Sequence, residues 1–214
     1  GGVSNTITVF CKEGDKFSIY KSDRYGFNNP DHEWNNEKIF WLLIGDSSTQ
    51  GACVQQGEDF ASQIRILTKQ SAISLGMSGN GPLIELASLK EYGFKKKPKI
   101  VLWLYSERND LADLRNEKSN SIFIKYLNEG FSQNLYTKQT TIDKKLKTYI
   151  KLAEEEKIKE KHITKQDSEK FLPFKKIIRL KIIRDKTSLD RGLDFGIDPL
   201  FEKIIVKAND FVNS

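Results

Sequence analysis

Three short polar segments of this chain carry residue types that could perform acyl-transfer chemistry. They are Gly45-Asp46-Ser47, Ser78-Gly79-Asn80 and Asn109-Asp110. A serine hydroxyl on a sharp turn is a candidate nucleophile, and glycine N–H groups and an asparagine amide are donors suited to a developing oxyanion. The residue types therefore indicate covalent catalysis at Ser47. The simpler alternative is that Gly45-Asp46-Ser47 forms an ordinary β-turn.

Each polar segment follows a run of apolar residues that predicts a buried strand. The runs are 40–44, 72–75 and 100–105, and they lack the alternation typical of a half-exposed strand. Right-handed crossovers in a parallel sheet would bring the three carboxyl ends to one edge. Ligands bind at that edge in open α/β sheets. The pattern therefore predicts an α/β fold with one site at the carboxyl edge.

The connecting segments predict the crossover helices. Asp59 is a suitable N-cap for a helix that ends near Lys69 and has Phe60, Ile64 and Leu67 on its apolar face. Pro82 suits the first turn of a second helix. We therefore expect strands and helices to alternate through this part of the chain.

With these residues in hand, the chain resembles the SGNH (GDSL-type) hydrolase superfamily over residues 39–111. The resemblance implies a three-layer α/β/α, flavodoxin-like parallel sheet. It implies that Ser47 is the nucleophile and that the oxyanion hole is formed by the N–H groups of Ser47 and Gly79 with the Asn109 side chain. The implied activity is ester hydrolysis or acyl transfer on a small acyl ester, such as an acylated glycan, without a metal or organic cofactor.

Two departures from the family pattern concern the catalytic machinery. Glu107 stands where the third family block has glycine, and the C-terminal Asp-x-x-His block, which supplies the base, is absent. The only histidines are His32, which precedes the first core strand, and His162. Because serine without a general base is a poor nucleophile, three explanations stay open. The chain is a fragment, it is a non-catalytic carbohydrate- or membrane-binding module, or His162 is a substitute base.

The composition changes along the chain and predicts four segments. Residues 1–38 approach the core, residues 39–111 form it, residues 112–197 are a basic helical insertion or lid, and residues 198–214 form a core helix after which the chain stops abruptly. The last boundary favours a fragment that ends before a further strand.

The positive charge is concentrated in the insertion. Residues 138–191 carry 17 Lys and Arg against 9 Asp and Glu, a local net charge of +8, while the whole chain has +6. Within this segment, residues 171–184 interleave basic and apolar side chains. This pattern favours a helix that buries one face on its own domain and has a solvated basic face, and the alternatives are contact with an anionic membrane surface or a lid over the site. We expect no nucleic acid partner, because no reader motif accompanies the charge.

The cysteines and termini carry little further information. We expect Cys11 and Cys53 to be unpaired buried thiols, with a structural disulfide as the alternative. No cluster of His and Cys predicts a zinc site. No compartment is predicted, although a signal or anchor removed upstream of Gly1 would make the protein extracytoplasmic or membrane-associated.

Overall fold

The computed structural model describes residues 1–167 and 198–213, except residues 14, 107 and 108 and the side chains of residues 13 and 157–167. The described strands are β1 (Ile7–Glu13), β2 (Lys16–Lys21), β3 (Trp41–Gly45), β4 (Ala72–Ser74) and β5 (Ile100–Leu104). The α-helices are α1 (Ser47–Gln50), α2 (Phe60–Thr68), α3 (Pro82–Ser88), α4 (Asp110–Glu117), α5 (Ser121–Lys125), α6 (Gln139–Asp167) and α7 (Pro199–Asn213). Short 3-10 or π turns cover Asp31–Asn35, Leu89–Gly93, Phe94–Lys96 and Leu135–Thr137.

The described strands form two sheets, and the larger confirms a mixed α/β fold with parallel strands. Its order is β4-β3-β5, and Leu42 of β3 is in register with Ile73 of β4 and Val101 of β5. The central strand is buried on both faces, since Leu42, Leu43 and Ile44 are all inaccessible to solvent. The smaller sheet is an antiparallel hairpin of β1 and β2.

Helices pack on both faces of the parallel sheet, but unequally. On one face, Leu42 and Ile44 belong to a large core that includes Leu86 of α3, Leu114 of α4 and Ile204 of α7. On the other face, Leu43 packs in a small cluster with Ala61 of α2. The side chains of β5, an outer strand of this sheet, are all partly accessible.

The helix predicted after Asp59 is confirmed, but its predicted apolar face is only partly correct. The Asp59 side chain accepts the N–H of Ser62, as an N-cap does. Ile64 packs against the small core cluster, as predicted. However, Leu67 is 78% exposed and Phe60 is half-exposed, whereas Ala61 is fully buried. The small side chain of Ala61 allows the helix to lie close to the sheet, and Phe60 and Leu67 face outward.

The chain divides into two compact units, residues 1–144 with 197–214 and residues 145–196. The first unit therefore includes residues 112–144, which the sequence analysis assigned to the insertion. The reason is burial in its core, where Leu114 and Tyr126 are at most 1% exposed. The described part of the second unit consists of α6 residues 145–167. Among the described helices, none combines the length and apolarity needed to cross a bilayer.

The expectation of two unpaired thiols is wrong, because Cys11 and Cys53 form a disulfide. The β1–β2 hairpin bends the chain so that the two Cα atoms lie 5.3 Å apart despite a sequence separation of 42. An irregularity in the hairpin register lies between Val9 and Lys12, where Cys11 occurs. Sequence spacing alone did not reveal this approach.

The loop before β3 is organised around the buried carboxylate of Asp23. Burial raises the pKa of Asp23, although hydrogen bonds oppose the shift. Four N–H groups donate to this carboxylate, at 2.7–3.0 Å: those of the backbone at Tyr25 and Phe27, Asn29 Nδ2 and Trp34 Nε1. A compact turn region therefore forms around one saturated acid.

Candidate active site

The turn that carries Ser47 begins at Gly45, the last residue of β3. The φ of Gly45 is +156°, and a Cβ there would collide with the Thr49 side chain and lie 2.8 Å from the Leu104 carbonyl oxygen. Only glycine therefore permits the chain to turn this closely beside β5. The turn leaves Asp46 buried and Ser47 partly accessible at the carboxyl edge of the sheet.

Asp46 connects the turn that carries Ser47 to the loop after β5. Its Oδ1 accepts the N–H of Ser48 at 2.9 Å and thereby caps α1. Its Oδ2 accepts Asn109 Nδ2–H at 2.7 Å and lies 3.5 Å from Ser47 Oγ, which donates to it. One carboxylate oxygen thus joins Ser47 and Asn109, two residues that the sequence analysis assigned to one site.

The amide of Asn109 is fixed at both ends. Its Oδ1 accepts a hydrogen bond from the Ser106 hydroxyl, and its Nδ2 donates to Asp46. Since an amide nitrogen carries two hydrogens, the bond to Asp46 uses one of them. The neighbouring residues therefore set the orientation in which Asn109 is presented.

The loop that contains Gly79 is connected to α1 through Gln50. Ser78 N–H donates to Gln50 Oε1 at 2.6 Å, and Gln50 Nε2 donates to the Tyr20 hydroxyl at 2.7 Å. Gly79 is exposed and has a φ of +79°, a conformation that favours glycine. The structure therefore links all three predicted loops: Asp46 joins the first and third, and Gln50 joins the first and second.

Two buried acids behind this cluster were not singled out from the sequence. Asp110 Oδ2 accepts the Ser106 N–H at 2.6 Å and Glu85 Oε2 accepts Trp103 Nε1–H at 2.6 Å, while Asp110 Oδ1 and Glu85 Oε1 have no hydrogen-bond partner among the described residues. Burial raises the pKa of Asp110 to about 6. Burial, followed by repulsion from Asp110, raises the pKa of Glu85 to about 9.

A third acid, Glu117, has both of its carboxylate oxygens hydrogen-bonded. Its carboxylate accepts the N–H groups of Gly81 at 2.7 Å and Leu83 at 2.9 Å, at the start of α3. Burial raises its pKa, and these backbone bonds oppose the shift. One signal in the sequence could have indicated the burial of Glu85, because this charged residue lies among apolar helix positions. Glu117, distant along the chain from α3, had no comparable signal.

The structure places His32 at the opposite edge of the sheet from Ser47. His32 is exposed, and its neighbour Glu33 accepts the N–H of Ala72, the first residue of β4, at 3.3 Å. Because β3 and β4 are parallel, this edge is the far end of the sheet from the Ser47 turn. The side chain of His162 and residues 171–184 lie outside the described part of the chain, so their proposed roles stay predictions.

The described side chains include no group of three or more His, Cys, Asp or Glu residues placed to hold a metal ion. Cavities of about 430, 400 and 210 Å³ lie on the side of the molecule where α7 packs, and all three are lined in part by Phe211. None of these three is lined by Ser47, Gly79 or Asn109. The candidate site is therefore separate from these three cavities.

Comparisons with known proteins provide no family assignment. No family model, curated protein or solved structure matches the chain. The functional argument therefore depends on the residues and geometry described above.

Proposed function

We propose that this protein catalyses ester hydrolysis or acyl transfer through Ser47, as a member of the SGNH hydrolase superfamily. The observation that carries the proposal is the meeting of Ser47 and Asn109 at one oxygen of Asp46, at 3.5 and 2.7 Å. A nucleophile and an oxyanion donor must lie together for acyl transfer. Helices on both faces of the parallel sheet support the three-layer, flavodoxin-like architecture included in this proposal.

In the proposed mechanism, Ser47 Oγ attacks the carbonyl carbon of an ester and its proton passes to a base, either Asp46 Oδ2, to which it already donates, or the substitute base His162. The N–H groups of Ser47 and Gly79 and the second Nδ2–H of Asn109 stabilise the tetrahedral oxyanion. Collapse expels the alcohol, which takes up a proton, and leaves an acyl group on Ser47. Water or a sugar hydroxyl then attacks this acyl-enzyme and releases the serine.

The proposed substrate is a small acyl ester or an acylated glycan, and the chemistry needs no cofactor. The exposed setting of Ser48, Ser78 and Gly79 supports a substrate that approaches from solvent. Substrate selection is assigned to residues 48–58, to residues 106–120 and to the basic insertion. Ser48 and Asn109, from the first two segments, both donate to Asp46 beside Ser47.

A second candidate function is ligand binding without turnover. It is favoured because His32 lies at the opposite edge of the sheet from Ser47. The described group that accepts from the Ser47 hydroxyl is the Asp46 carboxylate, and a carboxylate is a weaker base than imidazole toward an alcohol. In that case, Ser47 and Asn109 form part of a recognition surface.

The test is labelling of the 214-residue chain with a fluorophosphonate, read by intact mass. A mass increase by one phosphonyl group is expected, and Ser47→Ala should abolish it. Ser48→Ala is the matched control, since Ser48 contributes its N–H and not its hydroxyl to the described contacts.

Labelling that persists in Ser47→Ala would overturn the assignment of the nucleophile. An unlabelled wild-type chain that binds acylated glycans with the same affinity as Ser47→Ala would favour the non-catalytic candidate.

A further inference from the structure

The β1–β2 hairpin has an apolar face that is open to solvent. Ile7, Val9, Phe17 and Ile19 are exposed by 66, 58, 51 and 43%. Val9 lies directly across from Ile19, and Ile7 and Phe17 are two residues away along their own strands. These four residues, which we call the hairpin patch, therefore form one continuous surface.

Lysines border the hairpin patch at both ends. Lys21 lies across from Ile7, and Lys12 lies across from Phe17, with its ammonium 5.6 Å from the ring centre. Lys16 is exposed at the turn end, where Glu13 and Asp15 also occur, and Asp15 lies 4.0 Å from Lys12. The surface thus combines apolar side chains with long cationic ones, whose aliphatic stems extend apolar contact while the charges stay in water.

The opposite face of the hairpin is fixed to the segment that carries the nucleophile. Ser18 Oγ donates to the Val54 carbonyl at 2.5 Å, and the Tyr20 hydroxyl accepts from Gln50 at 2.7 Å. The Cys11–Cys53 disulfide adds a covalent link to the same segment. A ligand of the hairpin patch would therefore lie on the face of the hairpin opposite its contacts with residues 50–54.

We propose that the hairpin patch docks on an anionic lipid membrane. Four partly exposed side chains present on the order of 400 Å², a size that is often functional on a monomer. This is about half of the roughly 800 Å² that each partner of a standard protein interface buries, which disfavours a second copy as the occupant. Interfacial lipid binding needs only modest apolar insertion combined with attraction between cations and anionic headgroups.

The proposal extends beyond the proposed enzymatic function and does not depend on it. The test is co-sedimentation of the 214-residue chain with phosphatidylcholine vesicles, with and without phosphatidylserine. Binding is expected only when phosphatidylserine is present. Val9→Thr combined with Ile19→Thr keeps good strand formers and should weaken partitioning about tenfold. Lys21→Gln should weaken it about fivefold.

Leu67→Gln is the matched control, because Leu67 is an apolar residue on α2 that is more exposed than any residue of the hairpin patch, and this variant should bind like the wild type. Absence of wild-type binding to the anionic vesicles would overturn the proposal. So would undiminished binding of the double variant, which would assign binding to another segment. A wild-type dimer that the double variant converts to monomer would make the patch a self-interface. Fluorophosphonate labelling should be unchanged in the double variant, so this test and that of Ser47 fail separately.

Discussion

Two regions of this molecule contain buried carboxylates that differ in how many hydrogen bonds they accept. Asp23, in the loop before β3, accepts four hydrogen bonds. Glu85 and Asp110, behind the Ser47 turn, are buried as completely, yet each keeps an oxygen without a hydrogen-bond partner in the described part of the chain. Burial raises the pKa of all three, and Asp110 adds a repulsion that raises the pKa of Glu85 further.

Asp23 therefore stabilises the loop around it, whereas Glu85 and Asp110 lower the stability of the fold. A saturated carboxylate compensates for its desolvation and organises the loop around it. Under-satisfied, mutually repelling acids lower stability, and such groups concentrate at functional sites. The Ser47 edge is therefore expected to be the less stable of the two regions, and four substitutions test this contrast.

The largest effect is expected at Asp23. Asp23→Ala removes the acceptor of three buried donors and one partly buried donor, and should lower the free energy of unfolding by about 4 kcal/mol. Urea denaturation measures the change. Asp23→Asn, which keeps one acceptor oxygen, should cost less. A loss below about 1 kcal/mol in Asp23→Ala would remove the contrast between the two regions.

The next effect concerns reactivity at Asp46. Asp46→Asn keeps an acceptor for Ser48 N–H but turns an amide N–H₂ toward Asn109 Nδ2, so that donor faces donor. Misorientation of Asn109 should slow fluorophosphonate labelling about a hundredfold, with a midpoint of urea unfolding close to that of the wild type. Labelling at the wild-type rate would show that Asp46 does not position Asn109.

A gain of stability is expected from Glu85→Gln. The pKa of Glu85 is near 4.5 in an unfolded chain and about 9 in the fold, so the folded state binds the extra proton and stability falls as the pH rises between these values. Glutamine resembles the protonated acid. The variant should therefore be more stable by about 2 kcal/mol at pH 7 and equal to the wild type near pH 4. Equal stability at both pH values would contradict the assignment.

The smallest effect is expected from Asp110→Asn, which retains an oxygen for the Ser106 N–H. The pKa of Asp110 rises from 3.8 to about 6, so the contribution of Asp110 to wild-type stability should fall with pH only across this narrower interval. The variant should gain about 1 kcal/mol by pH 7 and no more at pH 8. A gain that continues to grow above pH 7 would indicate that the two acids titrate as one pair.

The sequence predicted the elements whose signals are local. The apolar run of β3, the Asp59 cap and the three polar loops after strands are local patterns, and the structure places Ser47 and Asn109 together as parallel strands require. What it did not predict depends on distant contacts. The approach of Cys11 to Cys53, the burial of Glu85 and the capping of α3 by Glu117 each depend on segments that meet only after folding.

The outward orientation of Leu67 illustrates the same limit. Helical periodicity correctly predicted that Phe60, Ile64 and Leu67 lie on one side of α2. The packing instead favoured the small side chain of Ala61 against Leu43. Periodicity identifies an apolar face, whereas the distance between helix and sheet decides which residues meet.

The disulfide has a consequence for the unfolded chain. Cys11 and Cys53 enclose a covalent loop, with a sequence separation of 42, that contains β3 and Ser47. A cross-link of this length restricts the denatured ensemble by about 4 kcal/mol of chain entropy. We therefore expect β3 and Ser47 to remain covalently looped to the hairpin even in strong denaturant. Thiol reductants should lower the midpoint of unfolding, so production in an oxidising compartment should yield the more robust protein.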